Sequence, residues 1–314
     1  MRLKNKFGVR TPTKTEDEPR KKYFLVFEGE KTEIIYFDAV NDLREEIGIN
    51  PLIELTPLIR SYNEPVWSNP KKILERILQN IAEFESGSMT YNTLINHVID
   101  YLIEEDIIEK NIQAKSIFNI LKWYCEEDAK KELTDIISDL EKECVIIASH
   151  LDKASCIPAI SEDISNILKN QKITYDEDFD KICLIVDRDR KSFICNPKID
   201  QYSYVLDTCK KKEFGFYVTN PCFEFWLLLH FDEVHTLDRT LLLENHKVKR
   251  RRTHAEQQLK KLMPGYQKSS YDAHVLVKKI DTAIKNSKDY CNDIVNLENT
   301  VGSNLGILIE EMLT

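Results

Sequence analysis

The chain has 314 residues, is 42% hydrophobic and carries a formal charge of −9, enough length and apolar content for one large domain or two ordinary ones. The acidity gives no global case for nucleic-acid binding, although a basic groove inside an acidic whole still acts through its local field. No apolar run approaches the roughly 20 residues of a membrane span, MRLKNKFGVR lacks a signal-peptide core, and no two of the eight cysteines are spaced as the CxxC of a zinc ribbon.

Residues 1–20 are polar and basic, with Pro12 and Pro19, and read as a flexible arm. The run Tyr23-Phe24-Leu25-Val26-Phe27 has no polar face, which suits a parallel strand covered on both sides. It ends in Glu28-Gly29-Glu30 and so delivers carboxylates to the C-terminal edge, where open α/β sheets bind ligands. Glu30 itself reads as solvent-facing. Tyr36, Val40, Leu43 and Ile47 recur at helical steps over 32–47, with Gly48 as the stop. Residues 51–59 read as a second strand, weakened by Pro57. A helix over 68–84 starts with Ser68 or Asn69 as cap and Pro70 as its first residue.

From 88 to 172 the pattern is almost entirely helical, and no glycine occurs between Gly87 and Gly215. Leu94, Ile95, Val98, Leu102, Ile117, Ile120, Leu121, Ile136, Ile137 and Leu140 would supply a small bundle core. Over 71–170 there are 19 acidic and 11 basic residues, nearly all of the net charge. This is read as an acidic helical insert dividing an α/β domain at 21–87 and 173–314. The insert binds a partner, makes a dimer contact within a homo-oligomer or shields the cleft; the sequence leaves these open.

At 181–190 KICLIVDRDR repeats the opening device, an apolar strand ending in Asp187-Arg188-Asp189. A helix over 199–212, a buried strand over 214–221 and an apolar helix over 222–231 follow. Lys247 through Arg252 form a basic cluster, and helices around 254–262, 271–286 and 303–313 close the chain. Cys183 and Cys222 lie in apolar runs as reduced core thiols do, which favours a cytoplasmic compartment.

Asp187 and Asp189 are two apart and face the same way in an extended chain. Carboxylates held together repel unless they are protonated or share a cation. Oxygen-only ligation suits Mg2+ or Mn2+, and Glu28 on a neighbouring strand end would ligate the same ion or act as a general acid/base. That layout serves phosphodiester chemistry, with Gly29 allowing close backbone approach to metal or phosphate. Lys31 and the cluster Lys247, Lys249, Arg250, Arg251 and Arg252 are candidate phosphate contacts on DNA or RNA. The blander readings are solvated loops at both acidic turns and a solvated basic run. Glu224 reads equally as a helix N-terminal acid favoured by the dipole. Phe223, Phe225 and Trp226 read as core, and His230 as a satisfied core histidine.

An apolar strand, then Glu28-Gly29, then a second apolar strand ending in Asp187-Arg188-Asp189 resembles the Toprim domain of topoisomerases, primases and OLD-type nucleases, and FEGEKTEIIYF (27–37), IVDRD (185–189), NPCFEFWLLLHF (220–231) and, more weakly, MPGYQK (263–268) are similar to recurring blocks of one family related to it. They are most similar to the RloB-like family of bacterial defence loci. These blocks cover about 20–84 and 175–314. The resemblance implies a Toprim-like, Rossmann-like, largely parallel sheet flanked by helices. It implies that Glu28, Asp187 and Asp189 bind Mg2+ or Mn2+, that Glu28 is a ligand or general acid/base, and that Glu33 corresponds to the second acid of an EGxTE motif with one extra residue here. Glu224 becomes a further acid. The implied activity is a metal-dependent endonuclease in antiphage defence, with an ATPase partner. The competing reading is a non-catalytic Toprim-like module that binds a regulatory partner or nucleic acid.

Overall fold

In the computed structural model the apolar run of β1 (Lys21–Phe27) is the interior of a five-stranded sheet, parallel to β2 (Ile53–Leu58) on one side and to β3 (Lys181–Asp187) on the other. β3 is parallel to β4 (Gly215–Asn220), and two-residue β7 (Gly302–Ser303) adds antiparallel, giving the order β2-β1-β3-β4-β7. The structure describes residues 21–29, 31–58, 70–86, 89–104, 108, 112–155, 178–188, 200–249 and 252–313. The expected arm at 1–20, residues 156–172 of the expected insert, and Glu30, Asp189, Arg250 and Arg251 lie outside the described residues. The described residues divide into two compact units, one within 75–155 and the other within 21–58, 70–74 and 178–313.

The α/β unit is built as its sequence pattern requires. Tyr23, Leu25, Phe27, Cys183, Ile185 and Tyr217 share one core with Tyr36, Phe37 and Val40 of α1 (Thr32–Asp42). The alternate residues Phe24, Val26, Ile182, Leu184 and Val186 are buried as well. Strands buried on both faces explain why these runs carry no polar alternation. Pro57 is tolerated because β2 is an edge strand. α1 ends near Leu43, and the short α2 (Arg44–Ile47) ends at Gly48, whose φ of 82° needs a residue without a Cβ.

Helices α3 (Pro70–Ser86), α4 (Tyr91–Glu104), α5 (Ile112–Trp123) and α6 (Leu140–Ser155) follow β2 in the chain. In the second unit, Leu94, Ile95, Val98, Leu102, Ile117, Leu121 and Ile137 form a core with Phe118, Ile147 and Leu151. Two expectations fail there. The continuous helical reading past α5 is wrong: Tyr124–Asp128 is a π-turn, Lys130 has a φ of 54°, and 131–139 is turns and a short bridge. Ile136 is not core but 62% exposed, because it pairs in extended form with Thr90 and its neighbour Ile137 takes the inward side.

After β3 come α7 (Gln201–Lys211), capped by Asp200, and α8 (Phe223–Leu228). α9 (Arg239–Glu244) leads to a hairpin of β5 (Lys247–Lys249) and β6 (Arg252–Thr253), and then to α10 (His254–Leu262). The helix expected over 271–286 is two, α11 (Ala273–Val277) and α12 (Ile280–Ser287), because the Lys279 amide bonds back to Leu276 in a tighter turn. α13 (Leu305–Leu313) closes the unit. Among the described residues no helix is long and apolar enough to cross a membrane.

Leu25 is fully buried in the central strand. Leu25→Ala should therefore cost about 2–5 kcal/mol, whereas Ile136→Ala should stay within about 0.5 kcal/mol. Urea denaturation of both variants checks the contrast.

Candidate active site

The register aligns the ends of the central strands, with Phe27 opposite Ile185 and Asp187 opposite Thr219. Glu28, 8% exposed, follows β1 directly, and its Oε2 accepts the Asp187 backbone N–H at 3.0 Å. Glu33 arrives from the first turn of α1 and is buried. Its carboxylate fills the space that a Cβ on Gly29 would need. Gly29 thus makes room for Glu33, and Glu33 is aimed at the strand ends despite the extra residue in its motif. Glu224, in the first turn of α8, is 1% exposed. Its Oε1 accepts from Lys268 Nζ at 2.8 Å and from the Tyr266 hydroxyl at 3.0 Å.

Lys268 also reaches Glu256 Oε1 at 2.9 Å. The loop that carries it is docked on α1: the Thr32 hydroxyl donates to the Lys268 carbonyl at 3.1 Å, and the Tyr271 hydroxyl donates to the Thr32 carbonyl at 2.7 Å. Glu256 is fixed by a capping box with Thr253 at the start of α10. Asn245 ties the same region back to the β4–α8 turn, donating to Cys222 Sγ at 3.4 Å and accepting from the Ala255 amide at 2.9 Å.

These groups perturb one another as a set. Burial pushes the Asp187 carboxyl well above the usual range, and Glu33, Glu28 and Glu224 push it further, with Lys268 opposing them. Burial alone would raise Glu224 too, but Lys268 and hydrogen bonds outweigh it and hold Glu224 below its ordinary value. The two carboxyls are thus shifted in opposite directions, Asp187 up and Glu224 down.

A family model described as RloB-like protein matches residues 23–312. The chain belongs to the RloB-like family. Those bounds begin in β1, end in α13 and enclose the helical unit as well as the motif blocks. The chain has no significant match among curated proteins or solved structures.

The structure brings Glu28, Glu33, Asp187 and Glu224 of this RloB-like chain together. Asp189, the other half of the expected metal pair, lies outside the described residues. Arg188 between them is buried, pairs with Glu298 at 3.3 Å and lies over the Tyr202 ring. Among the described residues no three His, Cys, Asp or Glu side chains are grouped to hold a metal ion. One oxygen of Glu28 is spent on a backbone amide and one of Glu224 on Lys268 and Tyr266. The donor chemistry, all carboxylate oxygen, nevertheless fits a hard divalent cation.

Lys31 is exposed at the start of α1, and its side chain makes no hydrogen bond or ion pair among the described residues. Of the basic cluster, Lys247 is exposed and Arg252 half-buried on the β5–β6 hairpin, while Arg250, Arg251 and the Lys249 side chain lie outside the described residues. His230 is a core residue: its Nε2 meets the Tyr36 hydroxyl at 2.9 Å, its Nδ1 faces the Trp226 and Leu227 carbonyls, and burial lowers its pKa to about 4. Tyr266, Lys268 and Glu256 are the site residues that sequence reasoning missed. The one signal was MPGYQK, which held two of them.

Because the Asp187 pKa is raised on folding, its ionisation destabilises the fold as pH rises above the ordinary aspartate value of about 4. Asp187→Asn removes that penalty while leaving the backbone amide that Glu28 accepts. In chelator-treated protein the variant should melt above the parent at neutral pH, and the gain should shrink as pH falls toward about 4. Thermal denaturation across that range is the measurement, and a gain that grows on acidification contradicts the assignment.

Proposed function

We propose that this RloB-like chain is a divalent-metal-dependent nuclease that hydrolyses phosphodiesters of DNA or RNA in bacterial antiphage defence. The observation that carries the reading is Asp187: it ends a buried parallel strand at the ligand-binding edge, with carboxylates from β1, α1 and α8 all acting on it. Asp187 and Glu28 would hold Mg2+ or Mn2+ together with Asp189, while Glu33 and Glu224 supply further negative charge or a proton acceptor. When bound, the ion neutralises the carboxylates and polarises the scissile phosphodiester. Glu28 Oε2 holds the Asp187 amide and so fixes the two strand ends against each other. Lys31 and the basic hairpin would contact phosphates at a distance from the chemistry. An ATPase companion and a cytoplasmic location belong to the same reading.

A non-catalytic module is favoured by a different observation, the closure of Glu224 onto Lys268 and Tyr266 with no described metal-holding trio. Purified protein incubated with a panel of DNA and RNA, with Mg2+ or Mn2+, separates the two. The nuclease reading expects cleavage that chelator stops and Asp187→Asn abolishes. Cleavage by Asp187→Asn at the parent's rate would falsify the site.

The hairpin is tested by salt. If Lys247 and Arg252 each neutralise one phosphate, replacing both should flatten the log–log salt dependence of duplex binding by about 1.8, at about 0.9 per contact. An unchanged slope returns the hairpin to a solvated surface.

A further inference from the structure

Around Ile136 the helical unit presents an extended edge that is held on one side only. At the start of α4 the Tyr91 and Asn92 amides donate to the Asp135 and Leu133 carbonyls at 3.2 and 2.9 Å, and the Ile137 amide donates to the Met89 carbonyl at 2.8 Å. Two of these bonds use amides that a helix start leaves unmet, and Ile137 anchors the segment in the core. Thr90 and Ile136 lie opposite each other in an antiparallel bridge. The hydrogen bonds fall on the residues to either side of them, so this is a non-hydrogen-bonded pair, and the amide and carbonyl of Ile136 point away from Thr90. Among the described residues neither group has a hydrogen-bond partner. The Ile136 side chain is exposed as well. One exposed isoleucine needs no explanation. An exposed β-branched side chain on an extended residue whose backbone donor and acceptor are both open is a template on which another strand pairs.

Charge selects what pairs there. Residues 126–143 carry eight acidic and three basic side chains. Glu126, Glu127, Asp128, Glu132 and Asp139 are all exposed. A second copy pairing through the same edge would lay one acidic segment beside another at about 4.8 Å, the spacing of paired strands, where like charges oppose each other. A basic strand is attracted instead.

We propose that Ile136 and the backbone around it are a docking edge for an extended, basic segment of a partner protein. That segment adds as a strand on the side away from Thr90, sets an apolar side chain against Ile136 and brings lysine or arginine to the surrounding carboxylates. The edge is held rigid by the α4 start and by Ile137, so little ordering of this chain is needed when the partner binds. This goes beyond the nuclease reading and does not rest on it.

The probe is a labelled, end-capped Lys-Val-Lys-Val-Lys peptide titrated with the full chain and followed by fluorescence anisotropy. Saturable binding that weakens as salt rises is expected. N-methylation of the central peptide amides should weaken it about fivefold, the worth of one net hydrogen bond. Ile136→Lys should weaken it by about fivefold as well, through the lost apolar pairing and an added like charge. The same peptide with glutamate in place of lysine should not bind. Equal binding of the methylated peptide means that charge alone holds the probe and overturns the docking edge. So do absent binding of the lysine peptide, binding of the glutamate peptide, and parent affinity in Ile136→Lys. If Ile136→Lys does not fold by circular dichroism, Ile136→Ala carries the test, and parent affinity there overturns the proposal. Sedimentation of the full chain covers the other occupant: a dimer that Ile136→Lys disperses makes this edge a contact between copies and overturns the basic partner.

Discussion

The 3.0 Å hydrogen bond from the Asp187 amide to Glu28 Oε2 is the constraint on which the candidate site depends. Backbone pairing between β1 and β3 ends where the Glu28 amide meets the Ile185 carbonyl at 3.0 Å. Beyond that point a side chain takes over the role of the ladder and fixes one acidic strand end against the other. The next amide, that of Arg188, bonds to the Thr219 carbonyl of β4 at 2.9 Å. Asp187 is thus held from both neighbouring strands at the position where its side chain meets the other acids. The same bond that sets the geometry also holds the Glu28 carboxyl where it acts on Asp187.

That arrangement is costly for a fold in its own right. Buried carboxylates normally need a compensating partner, and here Glu28, Glu33 and Glu224 all act on Asp187, with Lys268, which pairs with Glu224, opposing them. Two of these acids respond in opposite directions. Lys268 holds the Glu224 carboxyl below its ordinary value against the effect of burial, and burial with the neighbouring acids holds Asp187 above its own. Acids that shift one another's titration at a sheet edge are a poor stabilising device and a common feature of catalytic sites. The absence of space for a Cβ at Gly29 points the same way, since the glycine exists to admit one more acid.

The sheet was legible because burial on both faces leaves an unmistakable pattern: Tyr23 to Phe27 and Ile182 to Val186 have no solvent side to encode. Glu28, Glu33 and Asp187 were legible because they lie within a few residues of those strands. Lys268, Tyr266 and Glu256 were not, because they reach the site from a loop and a helix far along the chain, through contacts that no local period records. The helical reading failed where local chemistry competed with periodicity. The π-turn at Tyr124–Asp128 and the left-handed Lys130 occur in a stretch whose composition is good for helix, and Ile136 took the outward position of a short extended pair. The tight turn at Lys279 likewise splits a segment whose apolar spacing runs through it.

Charge distribution links the site to its proposed substrate. Residues 71–170 hold 19 acidic and 11 basic side chains, so the remainder of the chain is close to neutral although the whole is at −9. A phosphodiester approaching four carboxylates is repelled unless cations intervene. On the proposed reading those cations would be a divalent ion among the carboxylates, Lys268 on Glu224, and the exposed Lys247 of the hairpin. The hairpin runs directly into the Thr253 cap that fixes Glu256, and Glu256 holds Lys268. The outermost positive charge is therefore connected, through one helix start and one ion pair, to the innermost acid. On the proposed reading, a polyanion drawn to the hairpin would meet Lys268 and then the ion at Asp187, in the order that attraction, orientation and chemistry need.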